Sequence, residues 1–419
     1  MAAPLDDIVV IEIDNWMASP SAGAILADLG ARVIKVEPLS GDPMRNMSRP
    51  IKNDDVPDAV AALDHQFDVD NRGKESVAVA LDQPGGADIV RRLVAEADIF
   101  MCNLLTRRQE KFGLDPETLL KLKPDLVHAT LTGYGTTGPD AWRPGYDVTA
   151  FFGRSGLYDA QREGNDGIVP MARPAQGDHT TGLAFVGSIL AALRLAERSG
   201  TGQVVETSLY ETAVWTQATD YAVTAIDQTP VRRRARKEML AITANRFPCG
   251  DDKWVVFNMM PDNVYWPRMC QAIEVEELID DERFVDASAR YRHMAELIDL
   301  MDAALAKRSR DEWGEIFDKA GLIWGPVMGL HEVPQDPHAI ELGMFPKLTH
   351  PEAGAYTTVN IPMRFANADV KPRRPSPQIG EHTLSVLAAN GFSPEEIENM
   401  LASDIIGAQT GKIEGENHE

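Results

Sequence analysis

Chemistry needs side chains that attack, exchange protons or hold charge, placed where a ligand can come close. Gly177-Asp178-His179-Thr180-Thr181-Gly182 puts a carboxylate at the start of a predicted helix, between glycines that leave room for a ligand. An aspartate there is ordinarily an N-cap, worth about 1 kcal/mol. The same carboxylate could instead be a nucleophile held by the helix. Both readings stay open on these residues alone. His179 would serve as a base only if it faced the same way, and helical neighbours point apart. A packing or supporting histidine is expected.

Two further stretches carry charge near predicted strand ends. One runs from Trp16 to Arg45, and the other is Asn71-Arg72-Gly73-Lys74. Basic groups at a sheet's carboxyl edge could receive phosphates; solvated turns are the plainer reading. Gly133-Tyr134-Gly135-Thr136-Thr137-Gly138 matches a dinucleotide-binding pattern, but that fingerprint needs a helix to open inside it. Pro139-Asp140 and Arg143-Pro144-Gly145 follow, which is turn chemistry. The stretch is expected to be a flexible loop, its functional reading being a backbone-rich lid over a ligand, and nicotinamide is not expected. Cys102, Cys249 and Cys270 are scattered and suggest neither disulfides nor a metal site.

These groups must be positioned by regular elements. Ile8 to Ile13 reads as a buried strand, Ser19-Pro20 as an N-cap and first helical residue, Gly30 as the helix stop, and Arg32 to Glu37 as a second strand. Strand–helix–strand implies a parallel sheet. Further strands are expected at 76–81, 99–102, 126–131 and 203–209, with helices at 86–97, 116–122 and 178–199. Composition changes near Ile226, and Thr229 to Lys237 is a basic, proline-containing connector. The expected organisation is α/β: a large domain starting at 1–225, a smaller α+β domain at 226–335, and a C-terminal part, 336–419, ending in a frayed polar tail after Gly411. Trp215, Tyr221, Met259, Met260 and Trp324 are expected in the core.

The chain has 419 residues, 64 acidic and 41 basic, and a formal charge of −23. Nucleic acid is a poor partner for such a surface. No uninterrupted apolar window of about 18 residues suggests a membrane span, and the first residues lack a secretion signal. A cytoplasmic protein with no membrane partner is expected.

Over nearly its whole length the chain resembles the family III coenzyme A transferases. The resemblance begins with Pro4-Leu5-Asp6-Asp7-Ile8, Leu26-Ala27-Asp28-Leu29-Gly30, Val33-Ile34-Lys35-Val36-Glu37 and Gly41-Asp42-Pro43 with Arg45. Asn71-Arg72-Gly73-Lys74, Ala97-Asp98, Asn103, Gly113-Leu114, Thr132-Gly133-Tyr134-Gly135 and Gly145-Tyr146-Asp147 continue it. Gly177-Asp178, Gly200-Thr201-Gly202-Gln203, Tyr265-Trp266, Gly325-Pro326-Val327 and Gly380-Glu381-His382-Thr383 complete it.

The resemblance implies a Rossmann-like large domain built from both chain ends, a smaller inserted domain and an interlocked ring-like homodimer. It implies that Asp178 is the nucleophile, forming an aspartyl–acyl anhydride and then an aspartyl–CoA thioester. Acyl-CoA and a carboxylic acid would be the substrates, with no resident cofactor and no metal. Trp16, Met17, Ala18, Arg72, Asn103, Leu104 and Lys111 would lie near coenzyme A, with Arg45 and Lys74 as further candidates. Pro38 replaces a basic residue found in some relatives. The glycine-rich lid run of formyl-CoA transferase is missing around Asn245–Gly250. Tyr146 stands where the related α-methylacyl-CoA racemases place a histidine. A phenol, with an ordinary pKa near ~10, is a poor base, which favours transfer; the alternative is proton exchange at the α carbon of an acyl-CoA. A polyanionic ligand on an acidic protein would need local basic groups, with Arg72 and Lys111 expected to matter most.

Overall fold

The computed structural model describes residues 2–45 and 47–409; the tail after Gly411 lies outside them. Its centre is a sheet of six parallel strands, β1 (Val9–Ile13), β2 (Arg32–Glu37), β3 (Glu75–Val79), β4 (Ile99–Cys102), β5 (Val127–Thr132) and β6 (Gln203–Ser208). They run in the order β3-β2-β1-β4-β5-β6, and Ile406–Gly407 adds a short antiparallel edge beside β3. The protein is thus mixed α/β with a mostly parallel sheet. Strands β1 to β5 are buried almost throughout, as expected where helices cover both faces. The other edge, β6, alternates between more and less exposed residues.

The helices follow from their apolar spacing. Gly86–Ala95 buries Ile89, Val90, Leu93 and Val94 on one face against Phe100, Leu119 and Val386. The first helix, Ala18–Asp28, is buried at every residue. It starts before the expected cap: Ala18 is already helical, Met17 is the capping position, and no side chain caps it. Ser19 therefore lies inside the first turn, with its buried hydroxyl lacking a hydrogen-bond partner among the described residues. The long helix Gln176–Ser199 packs on this first helix and on β5 and β6. A Cβ on Gly182 would stand 2.1 Å from Ser21 Oγ and 2.9 Å from the Ala18 carbonyl, so glycine sets the approach of the two helices. The long helix is apolar enough over 24 residues to cross a membrane by composition, and 44% of its most apolar window is buried within the protein.

Contacts divide the chain into two compact units. The first comprises 1–157, 171–226 and 343–419, and the second 158–170 and 227–342. The second unit holds the antiparallel sheet Arg246–Pro248, Trp254–Phe257 and Trp324–Val327. In its core Trp313 stacks on Phe317 with ring centroids 5.6 Å apart. Met259 is buried there as expected, but Met260 is exposed. In the first unit Trp215 is 78% exposed rather than in the core, and Ala218–Asp227 buries none of its residues. This α-helical surface carries apolar side chains that no described residue buries.

Candidate active site

In an open parallel sheet, a cleft forms where neighbouring strands send their connections to opposite faces. Here β1 lies between β2 and β4, so the loops after β1 and β4 open that crevice. Asn103 ties them together: its Nδ2 donates to the Asn15 carbonyl at 2.7 Å, and the Asn15 N–H donates to its Oδ1 at 3.3 Å. Next comes Trp16, in the left-handed backbone region at φ 70°. Its N–H donates to Asp42 Oδ1 at 3.2 Å.

Asp42 in turn belongs to a buried charge cluster under the loop. Lys35 Nζ lies 3.0 Å from Asp42 Oδ2, 3.1 Å from Glu12 Oε1 and 3.2 Å from Asp14 Oδ1. Lys74 donates to Glu12 Oε1, the Pro20 carbonyl and Asn71 Oδ1. Buried charges persist only when paired this closely. Burial and the Glu12 charge push Asp14 well above the usual carboxylate range. The indole of Trp16 meets Tyr146 edge-on, with centroids 5.6 Å apart and planes at 89°.

Asp178 enters from the long helix. That helix begins after Ala175, held at φ 77°, whose N–H donates to Asp147 Oδ2 at 2.7 Å. Asp178 lies in the first turn, but no side chain caps the helix. The ordinary capping role is therefore not the one this aspartate plays: Asp147 binds the opening amide instead. Gly177 allows this, because a Cβ there would lie 2.6 Å from Phe151 Cγ and 3.0 Å from Asp147 Cβ. Asp147 and Phe151 belong to the π-helical turn Asp147–Arg154, a rare geometry that recurs at functional sites.

Burial, the Asp147 charge and the Asp70 charge push Asp178 up to about 7, against the opposing pull of His179. The His179 ring turns to Asp70, with Nε2 2.9 Å from Oδ1. Burial weighs against its charge, yet Asp70, with Asp178 and Asp147 nearby, holds its pKa above the ordinary value.

Two cavities meet at Asp178, Trp16 and Tyr146. The first, of about 350 Å³, is also lined by Asn103, Leu104, Arg107, Arg108 and Arg143. The second, of about 420 Å³, is also lined by Met17, Met44, Met47, Arg49, Gln66 and Arg173. Gly133 borders the first cavity. The loop that follows it to Gly138 opens no helix before Asp147, so the dinucleotide pattern is not built as a dinucleotide site.

Of the residues singled out from sequence, Asp178, Tyr146, Trp16, Ala18, Asn103 and Leu104 come together around the first cavity, and Met17 joins at the second. Four basic residues do not. Arg72 is 2% exposed and forks onto Asp28 Oδ2 through Nε and Nη2 at 3.1 and 2.7 Å. Lys74 is consumed in the buried cluster. Arg45 pairs with Glu37 and lies 4.1 Å over the Phe67 ring. Lys111 sits at the surface, 2.5 Å from Asp82. Arg72 and Lys111 are thus not among the residues that line either cavity; Asp28 and Asp82 pair with them instead. Sequence reading missed Arg107, Arg108 and Arg143. Arg107 and Arg108 open the helix Thr106–Phe112 just after Asn103, and that adjacency was the available signal.

The chain matches the family model described as CoA-transferase family III over residues 5–383. It is 29% identical over 408 residues to (R)-2-hydroxy-4-methylpentanoate CoA-transferase of Clostridioides difficile, covering 96% of this chain and 99% of that protein. It is 30% identical over 403 residues to cinnamoyl-CoA:phenyllactate CoA-transferase of Clostridium sporogenes, covering 94% and 95%. A solved CAIB/BAIF family protein from Brucella suis superposes with a TM-score of 0.82 at 29% identity, covering 93% of this chain and all of that one.

Proposed function

This chain belongs to CoA-transferase family III, and from that premise we propose that it moves coenzyme A from an acyl-CoA to a carboxylic acid through covalent chemistry on Asp178. The observation that carries this reading is Asp178 itself: a half-buried carboxylate, not spent on capping, where two cavities meet.

The Asp178 carboxylate attacks the thioester carbonyl, and the C–S bond breaks to release CoA thiolate and leave an aspartyl–acyl anhydride. The thiolate then attacks the aspartyl carbonyl of that anhydride, releasing the donor acid and leaving an aspartyl–CoA thioester. The acceptor carboxylate attacks this thioester and expels the thiolate, forming a second anhydride. Attack of thiolate on the acceptor's carbonyl frees Asp178 and yields the new acyl-CoA. One difficult displacement becomes a series of acyl transfers, with no resident metal or redox cofactor required.

Each addition places negative charge on a tetrahedral oxygen. Amides in the first turn of a helix have no partner within it, so those beside Asp178 can face such an oxygen. The raised pKa makes the ionised carboxylate a stronger nucleophile. Tyr146 and Trp16 flank it where the two cavities meet. Tyr146 places a phenol rather than an imidazole beside Asp178, where α-proton exchange would use a second base.

Coenzyme A occupies the first cavity in this proposal, with Trp16, Met17, Ala18, Asn103 and Leu104 along its length. Arg107, Arg108 and Arg143, whose guanidinium groups form no ion pair among the described residues, face its phosphates in place of Arg72 and Lys111. The interlocked homodimer is supported by the uncovered apolar helix Ala218–Asp227 and by Trp215. Three free, buried cysteines fit a reducing cytoplasm.

The test is exchange itself. A panel of acyl-CoAs and carboxylates is incubated with the protein and new thioesters are followed by mass spectrometry, while hydroxylamine traps an activated ester on Asp178. Asp178→Ala should abolish both. Full exchange in that variant defeats the mechanism, and α-deuterium uptake without exchange defeats the function.

A further inference from the structure

The basic connector Thr229 to Lys237 takes no part in the chemistry at Asp178. In the structure it lines a cavity of about 550 Å³ that lies wholly within the second unit and shares no residue with either cavity at Asp178. Five arginines line it, Arg162, Arg232, Arg233, Arg234 and Arg246, against a single carboxylate, Glu163. Met239, Leu240 and Met260 give the same cavity an apolar wall.

Three of these guanidiniums are already engaged. Asp159 takes Arg233 through Nε and Nη2 at 3.1 and 2.8 Å. Glu163 accepts from Arg246 Nη2 at 3.0 Å and from the Arg236 N–H at 3.1 Å, which pins the loop at 158–170 to the connector. Arg162 closes that loop on itself, donating to the carbonyls of Gly167 and Asn165 at 2.7 and 2.6 Å. Arg232 and Arg234 remain. Among the described residues neither guanidinium takes a hydrogen-bond or ion-pair partner, and the Nε of Arg234 is buried as well. A buried donor left unmade is unfavourable, and native folds leave few of them. Water would complete that N–H, but it would leave two cations at one cavity without a counter-charge.

Two such cations match a dianion, whereas a carboxylate would neutralise only one. A phosphomonoester carries about −1.5 to −2 charges at neutral pH and three strong acceptor oxygens, and guanidinium forks bind it in two-pronged fashion. The methionine and leucine wall is apolar and adaptable, and the volume is that of a small-molecule site. We propose that this cavity binds a small phosphomonoester with an apolar or aromatic body, Arg232 and Arg234 holding its phosphate. The proposal does not depend on the transfer chemistry at Asp178.

The probe is phenyl phosphate, titrated by calorimetry into the full-length protein. Phenyl sulfate, its singly charged isostere, and inorganic phosphate, which lacks the ring, are titrated beside it. Phenyl phosphate should bind saturably and about tenfold or more tighter than either. The Arg232→Met/Arg234→Met pair should weaken it by roughly tenfold or more with no fall in Tm, since neither side chain has a partner to lose. The Arg232→Lys/Arg234→Lys pair keeps the charge without the fork and should recover only part of the affinity; it decides the matter if the Met pair does not fold. No saturable binding, equal binding of phenyl sulfate, or unchanged affinity in these variants overturns the proposal. So does loss of binding in Arg107→Ala/Arg108→Ala instead, which would put the phosphate in the cleft at Asp178.

Discussion

Asp178 is a carboxylate held close to neutrality by burial first and by two neighbouring aspartates second. Only its ionised form attacks a thioester. Transfer should therefore rise with pH by about tenfold per unit below 7 and level off above it, measured as kcat/KM. Asp147→Asn removes the larger of the two like charges, so the rising limb should move down by roughly 0.5–1 unit. Stability should run the other way. Asp178 binds its proton more tightly when folded, so its stabilising contribution is complete below its ordinary value of 3.8 and is lost as pH rises through about 7. Asp178→Asn should raise Tm at alkaline pH by about 2 °C or more and leave it unchanged near pH ~3.5, followed by thermal melts. The arginines divide by whether the fold has claimed them. Arg72→Met strands the buried Asp28 and should cost about 3 kcal/mol of stability. An Arg107→Ala/Arg108→Ala pair should instead weaken CoA binding about tenfold or more with little change in Tm. Denaturant melts beside CoA titrations separate the two.

At the scale of elements, the site depends on how closely the two helices under it approach. Gly182→Ala forces a methyl against Ser21 Oγ and the Ala18 carbonyl. It should cost about 1–3 kcal/mol and shift the Trp16 loop that precedes the first helix, seen as a changed indole emission spectrum. The elements themselves were largely legible: β4 and the helix Pro116–Leu122 fall on the expected residues, and Gly30 ends the first helix at φ 110°. Apolar runs between turn residues declare themselves locally. The cap at Ser19 was misplaced because Asp42 and the left-handed Trp16 determine where that helix starts, and Asp42 lies too far along the chain to weigh. The same limit applies to the site. Asp178, Trp16 and Asn103 could be picked out, but no spacing reveals that Arg72 meets Asp28 or that Asp147 binds the Ala175 amide. Those partners are brought together by the sheet and by a π-helical turn.

At the scale of the whole molecule, −23 charges surround a cleft proposed to hold a polyanion. The arginines that line the cleft act at short range, within the ~8 Å over which physiological salt screens. CoA affinity should therefore fall only modestly with added salt. The helix Ala218–Asp227 and Trp215 leave an apolar surface, with Ile226 84% exposed. Ile226→Asp should lower the fraction of dimer recovered on refolding, read by sedimentation velocity, whereas the unaltered chain should sediment as a dimer. Finally, the two asparagines that tie the crevice's loops together are 88 positions apart yet follow on from adjacent central strands. The crevice cannot exist in a partly assembled chain that has not paired β1 with β4. Catalytic competence should appear late in refolding, together with the sheet's centre, and on heating it should disappear with the sheet and not before it.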